Sequence, residues 1–347
     1  MKIFLSHKSA LEFWRRNGHS MTHAPVDLAK KQAGTTVVSI KDGNFRVISR
    51  ERITQNSPPT KIRVTRENPP ARVPSNSLLL KAYGLGATFP VDVLCGKQAA
   101  RHSVKGMRQH TLSIDPPSGS FIKINKDVAV CSPELCFLQM ASLLELPKLI
   151  MLGYELCGNY TILNMGKMKT RDAITTTQKL LTYVMKMSGA NGYTKSLRAL
   201  RYILNGSASP METRLTMLLT LPYKLGGYGL PSPELNRVIT PTKGVRASAN
   251  KAYYRCDLYW PEKKLDVEYD SDAHHLGSER IAADAIRRNT LISLGVTVIV
   301  VTREQFYDLG QFDKLVSQVA AKLSRRLRYD KDFMSRQREL RKMLVDV

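Results

Sequence analysis

The chain has 347 residues, 43% of them hydrophobic, and a formal net charge of +24. That length implies two or three domains with real cores, and the positive excess implies a polyanionic partner, nucleic acid or an acidic surface. No apolar run approaches the roughly 18 residues that a membrane span needs, and the first residues carry charges instead of a signal-peptide core. The five cysteines include no CxxC pair, which argues against structural zinc and fits reduced thiols in a cytoplasm.

Ile3 to Asn17 has the composition of a short helix, with Ser6 as N-cap and Leu5, Ala10, Leu11 and Trp14 as its apolar face. Thr36–Ile40 and Phe45–Ile48, joined through Asp42-Gly43, predict a strand pair that closes an N-terminal segment, 1–53. From 54 to 77 the composition shifts to prolines among basic residues, a connector or an extended surface segment. A region from 78 to 205 follows, with strands expected at Val91–Leu94, Thr111–Ile114, Phe121–Ile124 and Val128–Val130. Ser132-Pro133-Glu134 opens a helix that runs through Phe137, Met140 and Leu143. These strands, the Ser-Pro-Glu helix and the Gly153-Tyr-Glu-Leu-Cys-Gly158 segment resemble the C-terminal domain of AbiEi-like type IV antitoxins. The resemblance implies a small α+β domain and, as partner, a cognate toxin or antitoxin. Helix capping and packing account for Glu134 better than a second active site does.

Arg171–Lys186 and Tyr193–Leu204 read as two amphipathic helices. On the second, Lys195, Arg198 and Arg201 lie along one side, a phosphate-facing ridge or a solvated face. Ser209-Pro210-Met211-Glu212 starts another helix, ending near Leu221, with Glu212 in its first turn, where the helix dipole favours an acid. The Gly-rich stretch Pro222–Pro233 has no preceding strand and no Gly-x-Gly-x-x-Gly spacing, so it reads as a flexible connection to a strand at Leu235–Thr240.

Ala252–Trp260 and Leu265–Asp270, separated by Pro261-Glu-Lys-Lys264, predict a β-hairpin. A period of two puts Leu265, Val267 and Tyr269 on one face and Asp266, Glu268 and Asp270 on the other. If Trp260 pairs with Leu265, counting outward sets Asp257 opposite Glu268. Like charges so placed repel; solvent screening relieves this, and so does a hard cation such as Mg²⁺. His274 and His275 come next, then a helix at Ser278–Leu294 and an apolar strand at Val296–Val301. Arg280, Asp284 and Arg288 are spaced for salt bridges on that helix. Val316–Leu327 predicts a closing helix. A basic tail, 330–347, continues it, and Arg325, Arg326 and Arg328 are suited to gripping a phosphate backbone.

Strand with Asp257, strand with Glu268-Tyr-Asp270, His274-His275, a helix with Asp284-x-x-Arg287, then an apolar strand: this order resembles the very-short-patch-repair-like endonuclease domains of the PD-(D/E)XK superfamily. The likeness spans roughly 206–329 and implies an α+β multidomain chain, its C-terminal αβββαβ restriction-endonuclease-like core preceded by a small α+β domain. It further implies a metal-dependent DNA endonuclease using Mg²⁺ or Mn²⁺, held by Asp257, Glu268 and Glu212. Asp270 stands where the superfamily pattern has lysine. The resemblance therefore passes proton transfer to His274 or His275 and makes Glu212, Asp257, Glu268, Asp270, His274 and His275 the expected catalytic set. Arg287 or Arg288 would face the scissile phosphate. The missing lysine also fits a second expectation, a non-catalytic, antitoxin-like DNA-binding regulator that keeps the nuclease core as scaffold.

Overall fold

The computed structural model describes residues 3–22, 35–41, 44–51, 69, 87–96, 106–163, 166–242, 244–246, 251–270 and 278–345. The Asp42-Gly43 turn, the Pro-rich segment apart from Pro69, and His274 and His275 lie outside them. The chain divides into two compact units, Met1–Ile203 and Leu204–Val347.

The first unit begins with a strand where a helix was expected. β1 (Ile3–Leu5) is fully buried, and only at His7 does α1 (His7–Thr22) start. A strand buried on both faces needs no polar alternation, and Ile3-Phe4-Leu5 has none. β2 (Thr35–Lys41) and β3 (Asn44–Glu51) form the expected antiparallel pair, with a register shift between Val37 and Val38. β4 (Val91–Cys95), β5 (Met107–Thr111), β6 (Phe121–Lys123) and β7 (Val128–Cys131) join β1 in a mixed sheet of order β5-β4-β1-β7-β6. β1 is its middle strand, so the N-terminal segment and the region after 78 share one sheet. β5 ends where the expected Thr111–Ile114 strand was to begin, because its parallel pairing with β4 starts at Met107 opposite Val91.

α2 (Pro133–Met140) starts as read, with Ser132 Oγ accepting from the Leu135 amide at 3.2 Å, but it stops before Leu143. α3 (Leu146–Cys157) takes in most of the Gly153–Gly158 segment. A Cβ on Gly153 would lie 2.2 Å from Ile203 Cδ1, so close helix packing requires glycine there. Glu155 is 2% exposed and receives a two-pronged contact from Arg15 at 2.9 and 2.7 Å. Arg171, equally buried, donates to the Tyr160, Trp14 and Glu155 carbonyls. The Gly153–Gly158 segment thus takes part in a satisfied internal polar network. Glu134 fits the packing account, accepting from Thr175 Oγ1 at 2.5 Å. β8 (Tyr160–Ile162) and β9 (Met168–Thr170) pair, and α4 (Thr177–Lys186) and α5 (Tyr193–Leu200) close the unit.

The second unit opens with α6 (Pro210–Thr220), where Ser209 Oγ caps the Glu212 amide at 3.1 Å. The Gly-rich stretch after it is not a slack connection. A Cβ on Gly227 would sit 2.2 Å from the Leu221 carbonyl oxygen, and one on Gly226 would sit 2.4 Å from that of Arg336. β10 (Glu234–Ile239), β11 (Tyr254–Trp260), β12 (Leu265–Asp270), α7 (Ser278–Ser293) and β13 (Thr297–Thr302) follow. The sheet order is β10-β11-β12-β13, antiparallel until β13 joins β12 in parallel. Helix, three antiparallel strands, helix and parallel strand therefore occur in the expected sequence. α8 (Arg303–Tyr307), with a Thr302/Gln305 capping box, and α9 (Leu309–Lys322) come next.

The basic tail is not an appendage. α10 (Phe333–Val345) buries Phe333, Leu340 and Leu344 within this unit. Phe333 packs edge-on against Tyr228, and the Arg341 guanidinium lies 4.3 Å from the Phe312 ring centre. The tail read as a basic extension thus includes an apolar stripe that belongs to the core.

Candidate functional site

Four carboxylates converge on the second unit's sheet. Glu212 comes from the first turn of α6, which packs on β11 and β12. It is 8% exposed; its Oε2 accepts from the Ala208 amide at 2.9 Å and from Asn236 Nδ2 at 2.6 Å. Burial pushes its pKa up, and these hydrogen bonds partly offset that. Asn236 reaches it from the middle of β10 with φ at +52°, a conformation that asparagine tolerates better than most residues.

The hairpin is built as counted at its tip: Trp260 faces Leu265, Tyr259 faces Asp266 and Leu258 faces Val267, with Lys264 in the left-handed region closing the turn. The registered ladder ends there, short of Asp257 and Glu268. Tyr254, Cys256 and Tyr259 all belong to one apolar cluster with Leu291 and Val296. β11 keeps one register with β10 on both sides of Asp257, Leu235 facing Leu258 and Arg237 facing Cys256. The Asp257 carboxylate instead takes a backbone role, with Oδ2 accepting from the Tyr269 amide at 3.3 Å. The expected Asp257–Glu268 pair is thus not among the registered ones. The charges still meet: burial first, then Glu212 and Glu268, push the Asp257 pKa up to about 7.

Glu268 is held by Arg287 of α7, which donates Nη1 to Oε2 at 2.5 Å and Nη2 to Oε1. The same Nη2 reaches the Arg255 carbonyl at 2.5 Å. Arg287 thus neutralises a site carboxylate and does not point outward for phosphate as expected; Arg288, one residue on, is exposed. Asp266 is fully buried beneath Glu268, and neither of its oxygens finds a donor. Burial and the hydrogen bond to Glu268 raise its pKa well above the usual carboxylate range. A neutral Asp266 acid resolves the conflict, since its own proton then serves Glu268.

Asp270 ends β12 opposite Thr302, half-buried. His274 and His275 lie outside the described residues. Of the expected phosphate contacts, Lys195 Nζ is turned onto the Leu144 carbonyl at 2.9 Å, while Arg198, Arg201, Arg325 and Arg326 are exposed. The sequence reading passed over Asp266 and Asn236 as site residues. Asp266 shares the strand parity of Glu268, and asparagine within a strand is unusual, so each carried a signal. Among the described residues, no three or more His, Cys, Asp or Glu side chains stand close enough to hold a metal ion as they are placed, and no helix is long and apolar enough to cross a membrane.

Comparison with family models, with curated proteins and with solved structures finds no match to this chain.

Proposed function

We propose that the second unit is a metal-dependent DNA endonuclease of the PD-(D/E)XK kind, acting in a cytoplasm. The observation that carries this reading is that Glu212, Asp257 and Glu268, supplied by a helix start and two adjacent strands, lie within electrostatic reach of one another, Asp257 being raised to about 7 by burial first and then by the two glutamates. The donor set suits a hard divalent cation, Mg²⁺ or Mn²⁺, which prefers carboxylate oxygens. Asp257 and Glu268 would hold it with Glu212 beside them, Glu268 exchanging Arg287 for the ion. Bound there, such a cation supplies Lewis acidity toward a phosphodiester. Asn236 orients Glu212, and His274 or His275 manages the proton, a role suited to imidazole near neutrality. Plasmid DNA incubated with the pure protein and Mg²⁺ or Mn²⁺ should be cut, and chelator or Asp257→Asn should abolish cutting.

Two observations favour a second reading. Arg287 already satisfies Glu268, and Asp270 replaces the superfamily lysine, as a non-catalytic DNA-binding regulator with an antitoxin-like partner would allow. Wild-type protein that binds DNA yet never cuts it with either metal selects this reading over the first.

A further inference from the structure

The first unit contains a cavity of about 290 Å³, near the lower end of the range for small-molecule pockets. Leu112 and Leu138 alternate on its wall with His7, His110, Ser142 and Asn191. Among the described residues, no Lys, Arg, Asp or Glu lines it. Among the described residues a phosphate would meet no Lys or Arg there, and an ammonium no carboxylate. The occupant it suits is uncharged, with polar edges to match hydroxyl, amide and imidazole groups.

The two histidines give that occupant a shape. His110 stacks on His7 with ring centres 3.6 Å apart and planes at 22°. Asp92, 1% exposed, contacts His110 Nε2 at 2.7 Å, and the Arg108 guanidinium is 3.6 Å from the same oxygen. The contact with the carboxylate places a proton on Nε2, so that in the tautomer with one ring proton Nδ1 is the acceptor. His7 is fixed from both ends: its amide donates to Gln139 Oε1 at 3.0 Å, and its Nδ1 lies 3.2 Å from Ser6 Oγ. It also holds φ at +44°, a conformation that costs energy outside glycine and marks positions over-determined by their surroundings. A rigid aromatic pair, an oriented acceptor and neutral polar walls are the means by which proteins hold flat, hydrogen-bonding rings.

We infer that this cavity binds an uncharged nucleobase, either as a free nucleoside or as an unpaired base of a nucleic acid strand. The inference stands apart from the chemistry assigned to the second unit. It is tested on the full chain by ligand-observed NMR titration with adenosine, guanosine, cytidine and thymidine. In parallel, the affinity for a short single strand is compared with that for the same strand carrying abasic sites. Leu143→Trp is the central variant, since Leu143 borders the cavity and is 52% exposed, so a larger side chain fills the opening without entering the core. At least one nucleoside should bind, and Leu143→Trp should weaken it by about tenfold or more, roughly the effect of losing one good contact, with the melting temperature unchanged. His110→Phe, which keeps a flat ring and removes the acceptor, should also weaken it. An affinity that drops on abasic substitution places the source in nucleic acid, and one that does not places it in free nucleosides. No binding by any nucleoside or strand base, or binding untouched by Leu143→Trp, overturns the inference.

Discussion

Arg287 on α7 grips both oxygens of Glu268 on β12 and, through one of the same nitrogens, the Arg255 carbonyl on β11. One guanidinium thereby pins a helix to two strands and offsets one charge in a cluster of four carboxyls. The pair is mostly out of water, with side-chain exposures of 23% and 16%. It therefore ranks between an exposed pair, worth at most about 1 kcal/mol, and a buried one, whose disruption costs roughly 3–5 kcal/mol.

Arg287→Met should accordingly destabilise the protein by about 2 kcal/mol in the absence of divalent ions. If Glu268 serves a cation, millimolar Mg²⁺ should recover part of that loss and should stabilise the variant more than the wild type. Thermal melts with and without Mg²⁺ check this. A variant as stable as wild type would show that the ion pair contributes nothing.

Asp257 provides a pH signature. Its pKa is raised to about 7 in the folded chain, first by burial and then by Glu212 and Glu268, against roughly 3.9 when unfolded. The folded state thus holds the proton more tightly. The stabilising contribution is fully present below about pH 4, falls as pH rises, and is gone above about pH 7. Asp257→Asn should remove that slope, leaving a variant at least as stable as wild type at pH 8, by an amount on the order of 2 kcal/mol. Urea midpoints at pH 5 and pH 8 measure it; a variant with the wild-type slope would acquit Asp257.

His7 works in the opposite sense. Burial, and then the charge of His110, lower its pKa to about 3, against about 6.5 unfolded. The stability tied to its neutral ring is complete above about pH 6.5 and is lost as pH falls towards 3, because the unfolded chain takes up the proton first. His7→Phe should flatten this acid limb of the stability curve. Chemical denaturation between pH 7 and pH 4 tests it.

The excess positive charge predicts steep salt dependence of DNA binding. Each phosphate contact released should change the slope of log affinity against log salt by roughly 0.9. Arg325→Gln with Arg326→Gln should therefore lower the slope by about 2 if both of these exposed residues touch phosphate. Lys195→Gln should lower it less, since its ammonium is engaged with the Leu144 carbonyl. Fluorescence anisotropy across salt concentrations reads the slopes, and slopes equal to wild type would remove these residues from the interface.

Where local rules govern, the sequence was a sound guide. Ser209 before Pro210 does start a helix, and the order of helix, three strands, helix and strand in the second unit follows the periodicity of its residues. Lys264 in the left-handed region closes the turn that sets Trp260 against Leu265. The N-terminus misled because Ile3-Phe4-Leu5 reads equally as one turn of helix or as a buried strand. Only the strands on either side, β4 and β7, decide between them.

The sequence by itself determined most of the second unit's helices and strands, and that Glu212, Asp257 and Glu268 come from separate elements in that order. These are short-range matters of dihedral preference, capping and period. Tertiary structure alone decided the contact of Asp257 with the Tyr269 amide, the capture of Glu268 by Arg287, the burial of Asp266 and the folding of the basic tail onto an aromatic cluster. Each of these depends on partners distant in sequence and on the loss of water around them. Burial is what turns a charged side chain from a solvated one into a proton holder or an obligate ion-pair partner.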